Sequence, residues 1–382
     1  KYMEHWRLNN YTVFDRTQLS FLKKWWIDID KVNFSIILIL MIFGLMMTAT
    51  SSPAIAKRID VDKFYFLKKQ LFFSIFALGI LISISFMNSN HIKLFALIGM
   101  ATFIFLLMVV LIFGSKAKGS TRWLSLGLIT IQPSEFAKTF FVIFNGYCLH
   151  RFVNHKFQYK YGIPILTISI ICLLLYFQPD FGMIISFILI FSVQLFLFGI
   201  PWILIFILGV GGVILGIGAY LSLPHVEDRI NRFLDTNQKN YQAERAIDAF
   251  ANGSYLGKGP GNGMVKKHIP DVHTDFIFSA IGEEYGIVSC VVVLLIFAYL
   301  VARIVRRAID ENDLFIYLSL CGLMTQFVIQ VFVNTSVSLS LIPTKGMTLP
   351  FISYGGSSLI ATSICFGLIL ALTKRKYRRE NF

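Results

Sequence analysis

Ten separate runs of about 18 or more apolar residues constrain this chain more than any other feature, because a run of that length crosses the hydrocarbon layer of a bilayer as a helix. They lie near 32–51, 70–88, 92–113, 133–153, 162–178, 180–199, 201–221, 276–301, 312–335 and 349–373. The rest of the sequence agrees. Of 382 residues 56% are hydrophobic and 15% charged, with a mean hydropathy of +0.68, against roughly 45–50% apolar and 25% charged in a soluble domain. The reading is an all-α integral membrane protein with about ten transmembrane helices. The first run is not expected to be a cleaved signal, since about 30 residues with scattered charges precede it and no small-residue cleavage site follows.

The expected organisation is a cytoplasmic N-terminal tail (1–31), one polytopic membrane domain (32–373) and a basic cytoplasmic tail (374–382). With both termini inside, and Lys93 and Arg151 at span ends counted with the inner side, 18 Lys and Arg are inner and 16 outer, with Lys138 inside a span. The positive-inside bias therefore rests on short stretches: Arg303, Arg306 and Arg307 after the eighth span, and Lys374, Arg375, Lys376, Arg378 and Arg379 at the end. Cations retained on the outer side against that rule fit either lipid headgroups or an anionic ligand. A large extracytoplasmic loop, 222–275, separates spans seven and eight, longer than an ordinary connection. Within it LPHVEDRINRFLD and YQAERAIDAFANG have helical spacing of apolar residues, followed by the glycine-rich GKGPGNG. A second outer segment, Gly114 to Lys138, mixes cations, Trp123 and small residues.

Several function classes lose support at once. Cys148, Cys172, Cys290, Cys321 and Cys365 all fall within predicted spans, which reads as packing rather than a disulfide framework or metal site. His225, His268 and His273 have no metal-ligand spacing and read as exposed loop residues. No Walker, Rossmann or zinc motif is present, so nucleotide and nucleic-acid binding are not expected.

The informative residues are charges placed where a membrane protein has few. HTDFIFSAIGEEYG opens a predicted span with Asp275, Glu283 and Glu284. Two other spans begin alike, Gln132-Pro133-Ser134-Glu135-Phe136 and Gln178-Pro179-Asp180-Phe181, where proline suits a first helical turn and an acid complements the helix N-terminus. For Asp180 that capping role and a functional one stay open. Lys138 follows Glu135 by three residues, so the two share a face inside a span, and such groups usually face a bundle interior or a wet cavity. Gly355-Gly356-Ser357-Ser358 reads as small residues for close helix packing.

Taken together, KGSTRWLSLGLITIQPSEFAK, QPDFG, YQAERAIDAFANGSYLGKGPGNG, IPDVHTDFIFSAIGEEYG and IPTKGMTLPFISYGGSS resemble the motifs of the SEDS proteins (shape, elongation, division and sporulation), the FtsW/RodA group. The one departure is Asn252-Gly253-Ser254, where the family often has paired glycines. The resemblance implies a bacterial inner-membrane enzyme of peptidoglycan biosynthesis, a glycosyltransferase that polymerises lipid II into undecaprenyl-pyrophosphate-linked glycan beside a class B penicillin-binding protein, a transpeptidase. Pro343-Thr344-Lys345-Gly346 resembles the cell-division branch rather than the elongation branch, which implies other division proteins as partners and a septal location. The family's catalytic aspartate maps onto Asp275.

The chemistry follows from the residues. A sugar hydroxyl attacking an anomeric carbon needs a base, and a carboxylate partly desolvated by Phe276, Ile277 and Phe278 is a stronger base than in water. On a helix starting near Asp275, Glu283 lies about 12 Å further along, and Glu284 on nearly the opposite side, so neither suits a two-carboxylate site. Their expected role is packing against polar groups of neighbouring spans. A second carboxyl is unnecessary, since pyrophosphate leaves as a stable anion when cations or a metal stabilise it. The substrate-binding candidates are Lys116, Lys118, Arg122, Glu135, Lys138, Asp180, Arg245 and Lys345. No cofactor is called for, and a divalent cation, Mg or Mn, stays open. Two other classes also stay open: a transporter (flippase) of the lipid-linked precursor, disfavoured because the charges gather at the outer edge rather than the midplane, and a non-catalytic division scaffold.

Overall fold

In the computed structural model the described residues are 20–117, 120–125, 127, 130–154, 157–222, 227, 231 and 241–374. Each of the ten apolar runs falls on a helix. After a short α1 (Phe21–Asp28) come α2 (Lys31–Ser51), a one-turn-and-a-half α3 (Pro53–Arg58), α4 (Tyr65–Ser85) and α5 (Ser89–Phe113). There follow α6 (Pro133–Arg151), α7 (Phe157–Phe177), α8 (Phe181–Leu197) and α9 (Trp202–Ser222). The last group is α10 (Tyr241–Gly253), α11 (Ile277–Ile309), α12 (Leu314–Ser338) and α13 (Gly356–Leu372). Among the described residues α2, α4, α5, α11 and α12 are long and apolar enough to cross a membrane by length and composition alone.

Caps explain several starts. Asp30 accepts from the backbone N–H of Val32 at 3.1 Å and Asn33 at 3.2 Å, and Asp313 from Phe315 at 2.9 Å, satisfying donors that a helix N-terminus leaves unpaired. Asp30 also pairs with Arg303 at 3.0 Å, tying the start of α2 to the far end of α11. Trp25 of α1 donates to Ser85 at 2.7 Å, so part of the expected tail is a helix packed on the end of α4.

The bundle centre is α6, buried at almost every position from Pro133 to Leu149. It is joined to its neighbours by polar side chains: Asn145 Nδ2 donates to Gln194 Oε1 at 2.9 Å, and Gln194 Nε2 donates to the carbonyls of Val142 and Leu318 at 2.9 and 3.2 Å. Such interhelical bonds contribute about 0.6–2 kcal/mol each, enough to specify which helices meet. Gly356 serves the close packing expected of it, since a β-carbon there would stand 2.6 Å from the Phe73 ring.

Three expectations need correction. The span placed at 276–301 is two helices, because Gly286 has φ 80° and ψ 173° inside α11. Residues 277–284 are all buried, whereas Val288, Val291, Val292, Leu295 and Tyr299 are exposed apolar side chains. The part after Gly286 is about 34 Å long at 1.5 Å per residue, enough to cross the roughly 30 Å hydrocarbon layer by itself. Loop backbone repairs the break: Ile287 and Val288 donate to the carbonyls of Ser254 and Tyr255 at 3.0 and 3.3 Å, while Lys258 and Gly259 donate to those of Glu283 and Glu284 at 3.0 and 2.9 Å. A β-carbon at Gly286 would collide with the Tyr255 carbonyl, and one at Gly253 with that of Gly282. Second, the last span begins at Gly356, and residues 349–355 form a loop instead. Third, the segment after α5 forms a small antiparallel sheet, β1 (Ser115–Ala117), β2 (Ser120–Ser125) and β3 (Thr130–Ile131). In the large loop YQAERAIDAFANG is helical as α10, and LPHVEDRINRFLD lies almost wholly outside the described residues.

Candidate active site

The turn before α11 is held from one side. The backbone carbonyls of His273, Thr274 and Asp275, three in a row, accept respectively from Tyr354 N at 2.8 Å, Ser353 Oγ at 2.6 Å and Asn334 Nδ2 at 3.0 Å. Asp275 is thereby placed against the loop between α12 and α13. Its carboxylate faces Gly346, where an added β-carbon would lie 3.2 Å from Oδ2. The carboxylate is half-buried, so it is shielded yet reachable.

Lys345, next to Gly346, runs across Gly182, and any side chain at residue 182 would collide with it. This carries the lysine to the start of α8, where Asp180 caps Met183 N at 3.3 Å and lies 3.5 Å from the Arg122 guanidinium. Arg122, on β2, also donates to the Pro179 carbonyl. Asp180 is therefore a helix cap that also lies beside a cation. Glu135 and Lys138 pair at 3.0 Å at the head of α6, both buried. Burial pushes the Lys345 ammonium down to about 7; Asp180 and Glu135 pull it up, and Lys138 and Arg122 push it further down. Among the described residues Arg122, Lys138 and Lys345 thus lie about Asp180 and Glu135, and Lys345 is partly exposed.

The other named residues fall elsewhere. Arg245 is exposed on α10, pairs with Asp248 of its own helix at 3.1 Å and lies against the Tyr241 ring, so the structure does not bring it into the cluster. Lys116 sits in β1 opposite Thr121, one strand from Arg122, and Lys118 lies outside the described residues. Glu283 and Glu284 do not pack against neighbouring spans. Glu283, fully buried, accepts from the backbone N–H of Met264 and Val265 at 2.8 Å, of Lys266 at 2.7 Å, and from Asn252 Nδ2 at 2.7 Å, and Glu284 pairs with buried Lys266. His273 is buried between the Phe66 and Tyr354 rings at 4.6 and 5.1 Å, and burial pushes its imidazole down to about 4, whereas His268 is exposed as expected. Among the described residues no three His, Cys, Asp or Glu side chains could hold a metal together, and all five cysteines are free.

Residues 30–378 match the model of the cell cycle protein family of FtsW, RodA and SpoVE. The chain belongs to that family. Family members similar to it include the probable peptidoglycan glycosyltransferase FtsW of Caulobacter vibrioides, 35% identical over 372 residues covering 95% of this chain and 94% of that protein. The protein of the same name from Geobacter sulfurreducens is 33% identical, covering 91% and 96%. Among solved structures, a chain from work on how a peptidoglycan synthase complex coordinates polymerization and crosslinking aligns with a TM-score of 0.76 at 26% identity, covering 90% of this chain and 97% of that one. The rod shape determining protein RodA of Thermus thermophilus aligns with a TM-score of 0.70, also at 26% identity, covering 91% and 97%. The resemblance read from the motifs and the family match agree.

Asn334, Ser353 and Tyr354, which place Asp275, were not singled out from the sequence. Ser353 and Tyr354 stand within the quoted IPTKGMTLPFISYGGSS block, whereas a lone Asn in an apolar run carries no periodic signal.

Proposed function

We propose that this protein is a peptidoglycan glycosyltransferase of the FtsW kind, polymerising lipid II at the outer face of the bacterial inner membrane during division. The observation that carries the reading is the placement of Asp275 against the Lys345–Gly346 turn, with Asp180, Glu135, Lys138 and Arg122 around that lysine. A base and a surplus of cations sit side by side, as a single displacement on a pyrophosphate-linked sugar requires.

In this scheme Asp275 takes the proton of the acceptor sugar hydroxyl while its oxygen attacks the donor's anomeric carbon. The bond from that carbon to the lipid pyrophosphate breaks, the electron pair leaves with the pyrophosphate, and attack from the opposite face turns the α-linked donor into a β-linked product. Lys345 and Lys138 bind the departing charge, and Arg122 holds the turn that carries Asp180. The growing glycan, a class B penicillin-binding protein and other division proteins are its partners. The termini face the cytoplasm, and the protein works at the septum. Support for the division role comes from Pro343 to Gly346 and the FtsW names of relatives.

The test is polymerisation of purified lipid II by the protein, alone and with its penicillin-binding partner. Long glycan strands are expected. Transport of lipid II across vesicles without strand synthesis would replace this reading with the flippase, and partner recruitment without either would leave the scaffold.

A further inference from the structure

One uncharged side chain makes contacts that neither packing nor the charge cluster accounts for. Asn334 is fully buried on α12, and its amide nitrogen donates to two backbone carbonyls, Asp275 at 3.0 Å and Met347 at 2.6 Å. Both neighbours are acceptors, so only the NH2 end of the amide can face them. Met347 N donates in turn to the Lys345 carbonyl at 2.8 Å. The side chain therefore joins the segment of the aspartate to the turn that carries Lys345 and Gly346.

Resting on the assignment of Asp275 as general base, we infer that Asn334 is a positioning residue that sets the separation between that base and the cation-bearing turn. It touches no substrate and acts through Asp275. Two observations separate this from ordinary packing. The Oδ1 atom of Asn334 has no partner among the described residues, and a buried unsatisfied acceptor is destabilising, so packing alone does not call for an amide here. The adjacent carbonyls of His273 and Thr274 have their own anchors in Tyr354 and Ser353, so losing Asn334 releases the carbonyl of Asp275 without freeing the whole turn. A shift of about 1 Å in a reacting group is worth on the order of 100-fold in rate.

Two variants test this. Asn334→Ala deletes the donor, and Asn334→Asp keeps the shape while presenting acceptors to two carbonyls, which covers the case in which truncation alone unfolds the protein. In lipid II polymerisation each is expected to lower kcat about 10- to 1000-fold with KM within about threefold. In an Asp275→Asn background Asn334→Ala is expected to add less than about twofold, because nothing remains to position. Hydrogen–deuterium exchange without substrate gives an independent readout: amides of residues 271–276 and 345–349 are expected to exchange faster together, with the rest of the bundle unchanged. A normal kcat in the single variants, an additive loss in the Asp275→Asn background, or unchanged exchange in both segments overturns the assignment. Failure of the wild-type protein to polymerise lipid II would instead remove the base assignment on which it rests, while the exchange pattern would still decide whether Asn334 joins the two segments.

Discussion

Two clusters of lysine and carboxylate sit near opposite ends of the same short helix, and they differ in what their carboxylates have left to give. At the Gly286 end Glu283 receives three backbone N–H groups and an Asn amide, and Glu284 is matched by Lys266. Both acids there have partners within the protein. At the Asp275 end, among the described residues, Arg122, Lys138 and Lys345 lie about Asp180 and Glu135, and Lys345 is partly exposed. Counting carboxylates in HTDFIFSAIGEEYG treats three acids alike; the partners of Glu283 and Glu284 mark those two as a clamp on the loop. The first cluster holds the large loop on α11, and the second gathers cations beside the turn that faces Asp275.

The sharpest way to break that contrast is Asp275→Asn. The amide keeps the shape but takes no proton, so kcat for strand synthesis is expected to fall about 10²–10⁴-fold with lipid II affinity retained; a near-normal kcat in a stable protein ends the contrast. Next comes the neutralised pair Glu135→Gln with Lys138→Met, which strands no buried charge. It is expected to lower kcat/KM about 10- to 1000-fold, as for one lost charged contact at the leaving group, and an unchanged value would make the pair structural. Glu283→Gln should act on the other cluster alone. Removing a carboxylate with four donors is expected to cost about 3 kcal/mol of stability, seen as a lowered Tm, with kcat per folded molecule held.

The contrast also has a pH signature. Lys345 in the free protein sits at about 7 against an ordinary 10.5, so from about 7 to 10.5 the unfolded chain binds a proton that the folded one does not. Rising pH therefore favours folding through that window. Pyrophosphate binding has the opposite sign, since it needs the ammonium: KM for lipid II is expected to rise up to about tenfold per unit above pH 7. Lys345→Met should give a high KM that is flat with pH, and a pH-independent wild-type KM would detach Lys345 from the substrate. The smallest effect belongs to Arg245→Ala. With its partner on its own helix, it is expected to change kcat/KM by less than about twofold, and a loss of tenfold or more would bring α10 into the site.

Much of this was legible in the sequence because it is written in apolar period and in short charged blocks. The apolar runs overlap helices, Glu135 and Lys138 share a face, and Asp275, Asp180 and Lys345 come together from blocks far apart in the chain. What was missed depends on backbone partners from elsewhere. Apolar residues resume directly after Gly286, whose positive φ places its backbone against the Tyr255 carbonyl. Glu283 looked like one acid in a span, because its donors come from backbone N–H groups that every residue has. His273 read as an exposed loop residue since neither Phe66 nor Tyr354 is near it in sequence. Asn334 gave no signal for the same reason.

The repaired break in α11 also orders the making of this protein. Ile287 and Val288 would enter a bilayer with bare amides if no loop were present, and lipid offers them no acceptor. The carbonyls that receive them, on Ser254 and Tyr255, are earlier in the chain and so are synthesised before the span that needs them. The loop thus exists before the helix that needs it, and its docking satisfies the first amides of that helix.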